Sequence, residues 1–310
     1  MKKEEKSGAL LANLMLITAA LIWGSGSVFQ KIVCPHIGSF TFYGLRCILG
    51  AVTLAILVLV NEKNKRKKEQ ELGLPHSPYG KEYFRRLLTT APLCTFANIT
   101  GNVLTQFGIR FTTVGKTGFL TAIYIIFVPL LSLLIFKKHV SRFAWIGTAL
   151  TVFGLYFLCI KDGFTIEKGD LIVLVSTIPI ALHIQLVSKY VRIFTPVHFT
   201  FVEFSTAAVF CTTMGLLFEE TNWQMASTII PGLLYCGILG IGICYALQGV
   251  AQRRTNPTVA ALLMSLESVF AALSGVIFLN ESFSGRELIG VFLICCAVVL
   301  AQLPEKKKIA

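Results

Sequence analysis

Four ionisable side chains stand inside long apolar runs: Arg46, His183, Glu203 and Glu267. A charged residue at the centre of a membrane helix costs roughly 2.5–3.5 kcal/mol on insertion scales, so each needs a reason to be there. Glu267 lies about ten residues into its run, which at 1.5 Å per helical residue is about 15 Å deep, near the middle of a bilayer. A carboxylate at that depth must be protonated, paired with a cation or open to water, because desolvation disfavours its charged form. It suits a proton or the ammonium group of a ligand; the plainer alternative is a hydrogen bond between packed helices. Glu203 is the second proton or cation candidate, with His198 or His183 as its expected partner. His183 belongs to the one side-chain type that titrates near neutrality unaided. Arg46 is expected to make a structural pair with a carboxylate, the alternatives being snorkelling to the surface and contact with an anionic ligand.

Uncharged polar residues add two stripes. Asn98, Asn102 and Gln106 recur at i, i+4 and i+8 with Thr105 beside them, which sets them on one helical face. Tyr245, Gln248 and Gln252 do the same further on. Such stripes line a cavity or glue helices together by hydrogen bonds. Trp23, followed by Gly24 and Gly26 at a flexible point, reads as an aromatic cavity residue, an ordinary packing Trp being the alternative. No DxxD, HExxH or GxSxG constellation is present, and no GxxxxGK[ST] phosphate loop, so no catalytic residue is assigned and ATP coupling within the chain is excluded. The nine Cys show no metal-ligand spacing and fall mostly inside apolar runs, where Cys acts as a small hydrophobe. No metal and no cofactor is expected.

The elements that carry these residues follow from composition. The 310 residues are 55% hydrophobic and only 14% charged, with a mean hydropathy of +0.72. Soluble domains carry about 25% charged residues, so lipid is the solvent here. Ten runs are long enough to span: 10–32, 39–60, 86–109, 115–136, 142–160, 170–188, 197–218, 230–250, 257–279 and 286–303. They are continuous rather than alternating, and in lipid that leaves helices. The first run is too long for a typical signal peptide and is treated as a retained helix.

Charge sets the orientation. The N-terminal Lys residues, the loops 61–86 and 137–142, Lys189 with Arg192, Arg253 with Arg254, and the C-terminal tail hold 21 of the 28 Lys and Arg residues. The opposite side holds six, Lys31, Arg110, Lys116, Lys161, Lys168 and Arg286, and Arg46 lies within a span. The positive-inside rule puts both termini in the cytoplasm. The net charge of +12 is then a matter of topology and of anionic lipid headgroups rather than of nucleic acid. The charged run from Lys63 to Glu71 reads as a solvated extension of the second helix.

A shift of 143 residues aligns the sequence with itself: Arg110-Phe111-Thr112 on Arg253-Arg254-Thr255, Phe127 on Phe270, Ser141 on Ser284, and Ile146-Gly147 on Ile289-Gly290. Asn102 then meets Tyr245, Thr105 meets Gln248, and Tyr124 meets Glu267. Two halves of five helices, residues 1–163 and 164–310, follow. An odd number of spans per half inverts the second half in the membrane, the architecture of many secondary transporters, with the site between the halves. The fold class is all-α: a polytopic membrane protein of ten transmembrane helices in two inverted five-helix repeats around a central cavity. Pro129 and Pro179 are expected to kink their helices.

Trp23-Gly24-Ser25, Gly38 to Phe42, Leu45-Arg46, Phe119 to Tyr124, Ser265 to Ala272, and Phe278-Leu279-Asn280-Glu281 followed by Ile289-Gly290 resemble the motifs of EamA-type members of the drug/metabolite transporter superfamily. The resemblance runs from about Leu10 to Leu303. It implies ten helices around a cavity and the export of amino acids, drugs or other metabolites, without choosing a substrate. Ser268 stands where many relatives carry Pro after the Glu, and a straighter ninth helix is expected. The reading is a secondary transporter, an exporter of small metabolites across the cytoplasmic membrane. Its substrate cavity is expected to hold Trp23, Asn98, Asn102, Gln106, Tyr124, His183, Tyr245, Gln248 and Glu267. The alternatives are a lipid flippase or passive channel and, further off, a membrane-embedded enzyme. The partners implied are a small-molecule substrate and the lipid bilayer, with a homodimer left open.

Overall fold

A computed structural model describes residues 2–33, 36–72, 79–112, 114–160, 166–220, 224, 226–279 and 284–303. Asn280 and Glu281 of the motif near the ninth helix, and the C-terminal Lys306 to Lys308, lie outside them. Ten helical spans follow in order: α1 (Lys2–Val33), α2 (Ser39–Glu71), α3 (Lys81–Gly108), α4 in two pieces (Val114–Ala122 and Tyr124–Leu134) and α5 (Arg142–Cys159). Then come α6 (Lys168–Tyr190), α7 (Pro196–Phe218), α8 (Ala226–Leu234, a π-helical stretch Tyr235–Ile243, and Cys244–Gln252), α9 in two pieces (Pro257–Met264 and Leu266–Leu279) and α10 (Gly285–Ala301). Among the described residues there is no strand.

Eight of these spans are long and apolar enough to cross a membrane. The other two are α3, whose polar stripe and charged start dilute it, and α10, which is 17 residues long. The outer surface is apolar as lipid demands: Val209, Leu216 and Phe218 of α7 and Leu134 of α4 are more than two-thirds exposed. The helix α2 runs well past its apolar part to Glu71, and the extension carries Lys65–Glu69 and Lys67–Glu71 pairs at i, i+4. On a solvated face such pairs are worth only about 0.3–0.5 kcal/mol each.

Helix neighbours come in sets that map onto each other when helices 1–5 are exchanged for 6–10. α2 packs on α7 and α5 on α10; α3 packs on α6 as α8 does on α1, and α1 on α9 as α6 does on α4. Ser141 and Ser284, matched by the 143-residue shift, both cap helix N-termini by accepting a backbone N–H three residues on, a contribution of about 1 kcal/mol each. α5 and α10 cross closely at Gly154 and Gly290, where a Cβ on Gly290 would lie 2.6 Å from the Gly154 carbonyl oxygen.

One expectation is corrected. The ninth helix is not straight: it breaks at Ser265, whose hydroxyl bonds the Leu262 carbonyl (2.7 Å) while the Ser268 N–H turns to Ser265 (3.2 Å). Serine back-bonding of this kind bends a helix without proline, and it frees the Met264 carbonyl just as a proline at 268 would. Gly24 and Gly26 lie within an unbroken α1. Gly24 is there for contact: a Cβ on it would lie 2.5 Å from the Glu267 carbonyl oxygen on α9.

Candidate functional site

The breaks in α4 and α9 meet at the centre of the molecule. In α4 the turn at Ile123 is tight, with Ile123 bonding back to Leu120 (3.1 Å) and Ile126 to Ile123 (2.9 Å). It lies six residues before Pro129, which was expected to cause any kink. Pro129 instead sits within Tyr124–Leu134. Beside it Gln185 of α6 donates to the Val128 carbonyl (2.7 Å) and to the Ser132 hydroxyl. Pro179 lies inside a continuous α6. Tyr124 and Glu267 therefore stand in the opening turns of two half-helices. A carboxylate in a helix's first turn is favoured by the helix dipole, by about 0.3–1 kcal/mol.

Between the halves is a cavity of about 220 Å³. Trp23, Ser27 and Gln30 of α1 and Arg46 of α2 line it, with Asn102, Thr105 and Gln106 of α3 and Thr117, Thr121 and Tyr124 of α4. From the second half come Ile180, His183 and Ile184 of α6, Tyr245 and Gln248 of α8, and Met264, Ser265, Glu267, Ser268 and Ala271 of α9. Of the residues expected there, Trp23, Asn102, Gln106, Tyr124, His183, Tyr245, Gln248 and Glu267 are all in the wall. Asn98 is not: it lies one layer back, 1% exposed, accepting from Tyr43 and Asn102 and donating to His183. Gln252, at the end of the α8 stripe, is fully buried away from it.

The wall is part aromatic, part polar. Tyr245 packs on Phe204 (4.5 Å between centroids), edge-on to Trp23 (5.1 Å) and near His183 (6.1 Å). The Trp23 indole donates to the Gly240 carbonyl (2.8 Å), an acceptor within the π-helical stretch of α8. Wide turns of this kind recur at functional sites. Gln106 Nε2 and Gln248 Oε1 are buried and have no hydrogen-bond partner among the described residues. A polar atom so placed is costly until something bonds it.

Arg46 and Glu267 are the charges in the wall. Arg46 is 6% exposed. Its guanidinium donates to Gln30 (3.3 Å) and lies 5.1 Å from the Phe42 ring, and Nε has no partner. The expected carboxylate pair is absent among the described residues: Arg46 makes no ion pair because the nearest elements offer it amide and rings. Glu267 is half-buried and its carboxylate makes no hydrogen bond or ion pair among the described residues. It lies within electrostatic range of Arg46 and of Tyr124, but the Tyr124 hydroxyl does not bond it. Glu203 is outside the cavity. It is 1% exposed and meets His183 Nε2. Of its two expected partners, His198, five residues earlier on α7, is taken by Glu62 (3.2 Å) and Tyr83 (3.2 Å).

Ser27, Gln30, Thr117 and Thr121 escaped the sequence reading. Each is a polar residue near the end of an apolar run, where water and headgroups are sufficient reason for polarity, so nothing marked them as facing inward.

Known proteins resemble the chain along nearly all its length. An uncharacterized transporter of Archaeoglobus fulgidus is 28% identical over 295 residues, which is 95% of this chain and 86% of that one. The uncharacterized transporter YoaV of Bacillus subtilis is 24% identical over 297 residues, 93% of this chain and 95% of YoaV. The threonine/homoserine exporter RhtA of Salmonella typhimurium is 32% identical over a shorter stretch of 76 residues, 24% of each chain. A crystal structure with 16% identity shares the fold, with a TM-score of 0.71 over 94% of this chain and 96% of the other. The profile of the EamA-like transporter family matches residues 10–160 and again residues 167–303. With ten helices, a lipid-facing surface and a profile match over both parts of its length, the chain belongs to the EamA-like transporter family and is a multi-pass membrane transporter of the drug/metabolite type.

Proposed function

We propose that the protein is a secondary transporter that exports a small zwitterionic metabolite, such as an amino acid, across the cytoplasmic membrane by alternating access. One observation carries this reading. Arg46 and Glu267 bring a guanidinium and a carboxylate to one cavity, and neither is ion-paired among the described residues. Two opposite charges left apart in a polar cavity are complementary to a ligand with an ammonium and a carboxylate. Such a ligand also supplies polar groups for Gln106 and Gln248. The short likeness to a threonine/homoserine exporter supports both the substrate class and the direction.

Alternating access is supported by the exchange-related packing of the helices, by breaks in both α4 and α9, and by a family match that occurs twice. Halves of five helices each, bounded near residue 163, run in opposite senses, with both termini cytoplasmic as the charge asymmetry demands. Single cysteines test this directly. In right-side-out vesicles a membrane-impermeant maleimide should label Glu220→Cys and leave Lys65→Cys untouched until the membrane is opened. Labelling of both from one side sinks the inverted arrangement.

The transport reading is tested with purified protein in liposomes against a panel of the common L-amino acids. Saturable uptake of at least one is expected. Asn102→Cys and Gln248→Cys should react with a soluble thiol reagent and be protected by that substrate. Val152→Cys and the native Cys295, in α5 and α10, should show no such protection. Saturable uptake without protection at 102 and 248 would leave the two stripes as helix glue. Non-saturating flux would point to a channel, and flux only of lipid to a flippase.

A further inference from the structure

A second ionisable pair stands behind the cavity wall, and substrate recognition gives it no task. His183 is in the wall, while its partner Glu203 on α7 is 1% exposed and does not reach the cavity. Asn98 of α3 lies against the imidazole from the other half of the molecule, its Nδ2 3.1 Å from Nε2 and 3.4 Å from Nδ1, the ring nitrogen left to accept while Nε2 meets Glu203. The orientation of that amide is fixed by its other end. Asn98 Oδ1 accepts from the Tyr43 hydroxyl and from Asn102 Nδ2 (3.0 Å), and turned over it would set one NH2 group against another. Asn102 is itself in the wall. A hydrogen-bonded path therefore runs from the cavity at two points to a buried carboxylate.

The chemistry of such a pair is narrow. With a proton between them, imidazole and carboxylic acid, or imidazolium and carboxylate, are neutral together. Without it a net negative charge is left at a site sealed from water, at a cost of several kcal/mol. The titratable groups around the pair are Tyr43 and Cys47 of α2, Cys94 of α3, Cys211 of α7 and Tyr245 of α8, with Arg46 of α2 within electrostatic range of Tyr43, Cys47 and Tyr245, and Lys189 of α6 within range of Cys94. Tyr124 and Glu267 share the cavity with His183. Loading or unloading the site changes the charge at a junction where α2 and α3 of one half meet α6, α7 and α8 of the other. That junction has to repack if the halves move past each other.

We infer that His183 and Glu203 form a proton-binding site, loaded from the cavity through the imidazole, whose occupancy couples the movement of substrate to protons. The proton comes from cavity water to His183 and is shared with Glu203; no bond to carbon changes and nothing is oxidised. The coupling clause rests on the transport reading, whereas the binding site stands without it.

The test uses the proton itself as probe, on the full chain in nanodiscs titrated between about pH 5 and 8, the range in which histidine changes charge. Infrared difference spectra should show a carboxylic acid band that appears as the pH falls and shifts on transfer to D2O within the mixing time. The Glu203→Gln variant should lose that band, and Glu267→Gln should keep it. In wild type the His183 ring nitrogens, assigned with His183→Gln, should titrate in the same step. A wild-type His183 signal that is unchanged across the range, or a band that survives in Glu203→Gln, overturns the proposal without touching the transport reading. Failure of every amino acid in the liposome panel would remove the coupling and leave the binding site standing. If Glu203→Gln does not fold, the wild-type His183 titration and its D2O response still decide.

Discussion

Glu267→Gln should reduce transport by at least about 30-fold while leaving the protein folded. The change keeps the shape of the side chain and removes its charge. Removing one partner of a desolvated charge pair typically costs about 2–5 kcal/mol, and 1.4 kcal/mol is a factor of ten. The carboxylate makes no hydrogen bond or ion pair with the described residues, so the fold does not lean on it. The loss should therefore fall on substrate binding, read as a raised KM or vanished uptake in liposomes, with an unchanged melting temperature. If the Gln variant transports its substrate at the wild-type rate, Glu267 is not the ammonium site and Arg46 alone would select for anions. A variant that instead unfolds would give the carboxylate a structural role.

Gly24→Leu should strongly destabilise the protein. The new Cβ would lie 2.5 Å from the carbonyl oxygen of Glu267 and 2.8 Å from the Ala271 nitrogen, both backbone atoms that cannot turn aside. Overpacking a tight contact costs about 1–3 kcal/mol even where side chains can give way. Here α1 and α9 must part, and the backbone that moves is that of Glu267 itself. Thermal unfolding in detergent should show a large fall in Tm, together with loss of transport in whatever protein survives. Gly285→Ala, where nothing lies within 4 Å of the added Cβ, should behave as wild type. A Gly24→Leu protein as stable as wild type would mean that the α1–α9 contact is looser than described.

The elements were legible because lipid leaves so few options. Continuous apolar runs in a membrane must be helices, and all ten runs became helical spans with ends within a few residues of the hydropathy boundaries, apart from α1, whose charged start begins the helix eight residues early, and α2, whose charged tail continues it. The polar stripes were legible as well, because 3.6-residue spacing fixes which residues share a face. Asn102, Gln106, Tyr245 and Gln248 duly meet in one cavity. What spacing cannot give is the layer at which a side chain stops. Asn98 has the same period as Asn102 and lies behind the wall. Glu203 and Glu267 look alike as lone carboxylates, yet one is sealed against His183 and the other faces the cavity. Partner choice was equally hidden: His183 and His198 were level candidates for Glu203 until the crossing of α6 and α7 put the first within reach. Pro129 and Pro179 lie inside helical segments, and the breaks in α4 and α9 occur elsewhere, at Ile123 and Ser265, where local hydrogen bonds turn the chain.

The wide-turned stretch of α8 from Tyr235 to Ile243 also governs register. A π-helix packs more residues into each turn than an α-helix, so it rotates everything that follows it about the helix axis, and each residue of an α-helix is worth 100° of that rotation. Tyr245 and Gln248 come directly after the stretch and owe their inward aim to it. Their counterparts Asn102 and Thr105 stand in plain α-helix and need no such correction. The two halves thus bring matched positions to a common wall from different windings. In the second half, an insertion or deletion of a single residue before Tyr245 would swing the aromatic side of the chamber outward into lipid while every helix stayed intact.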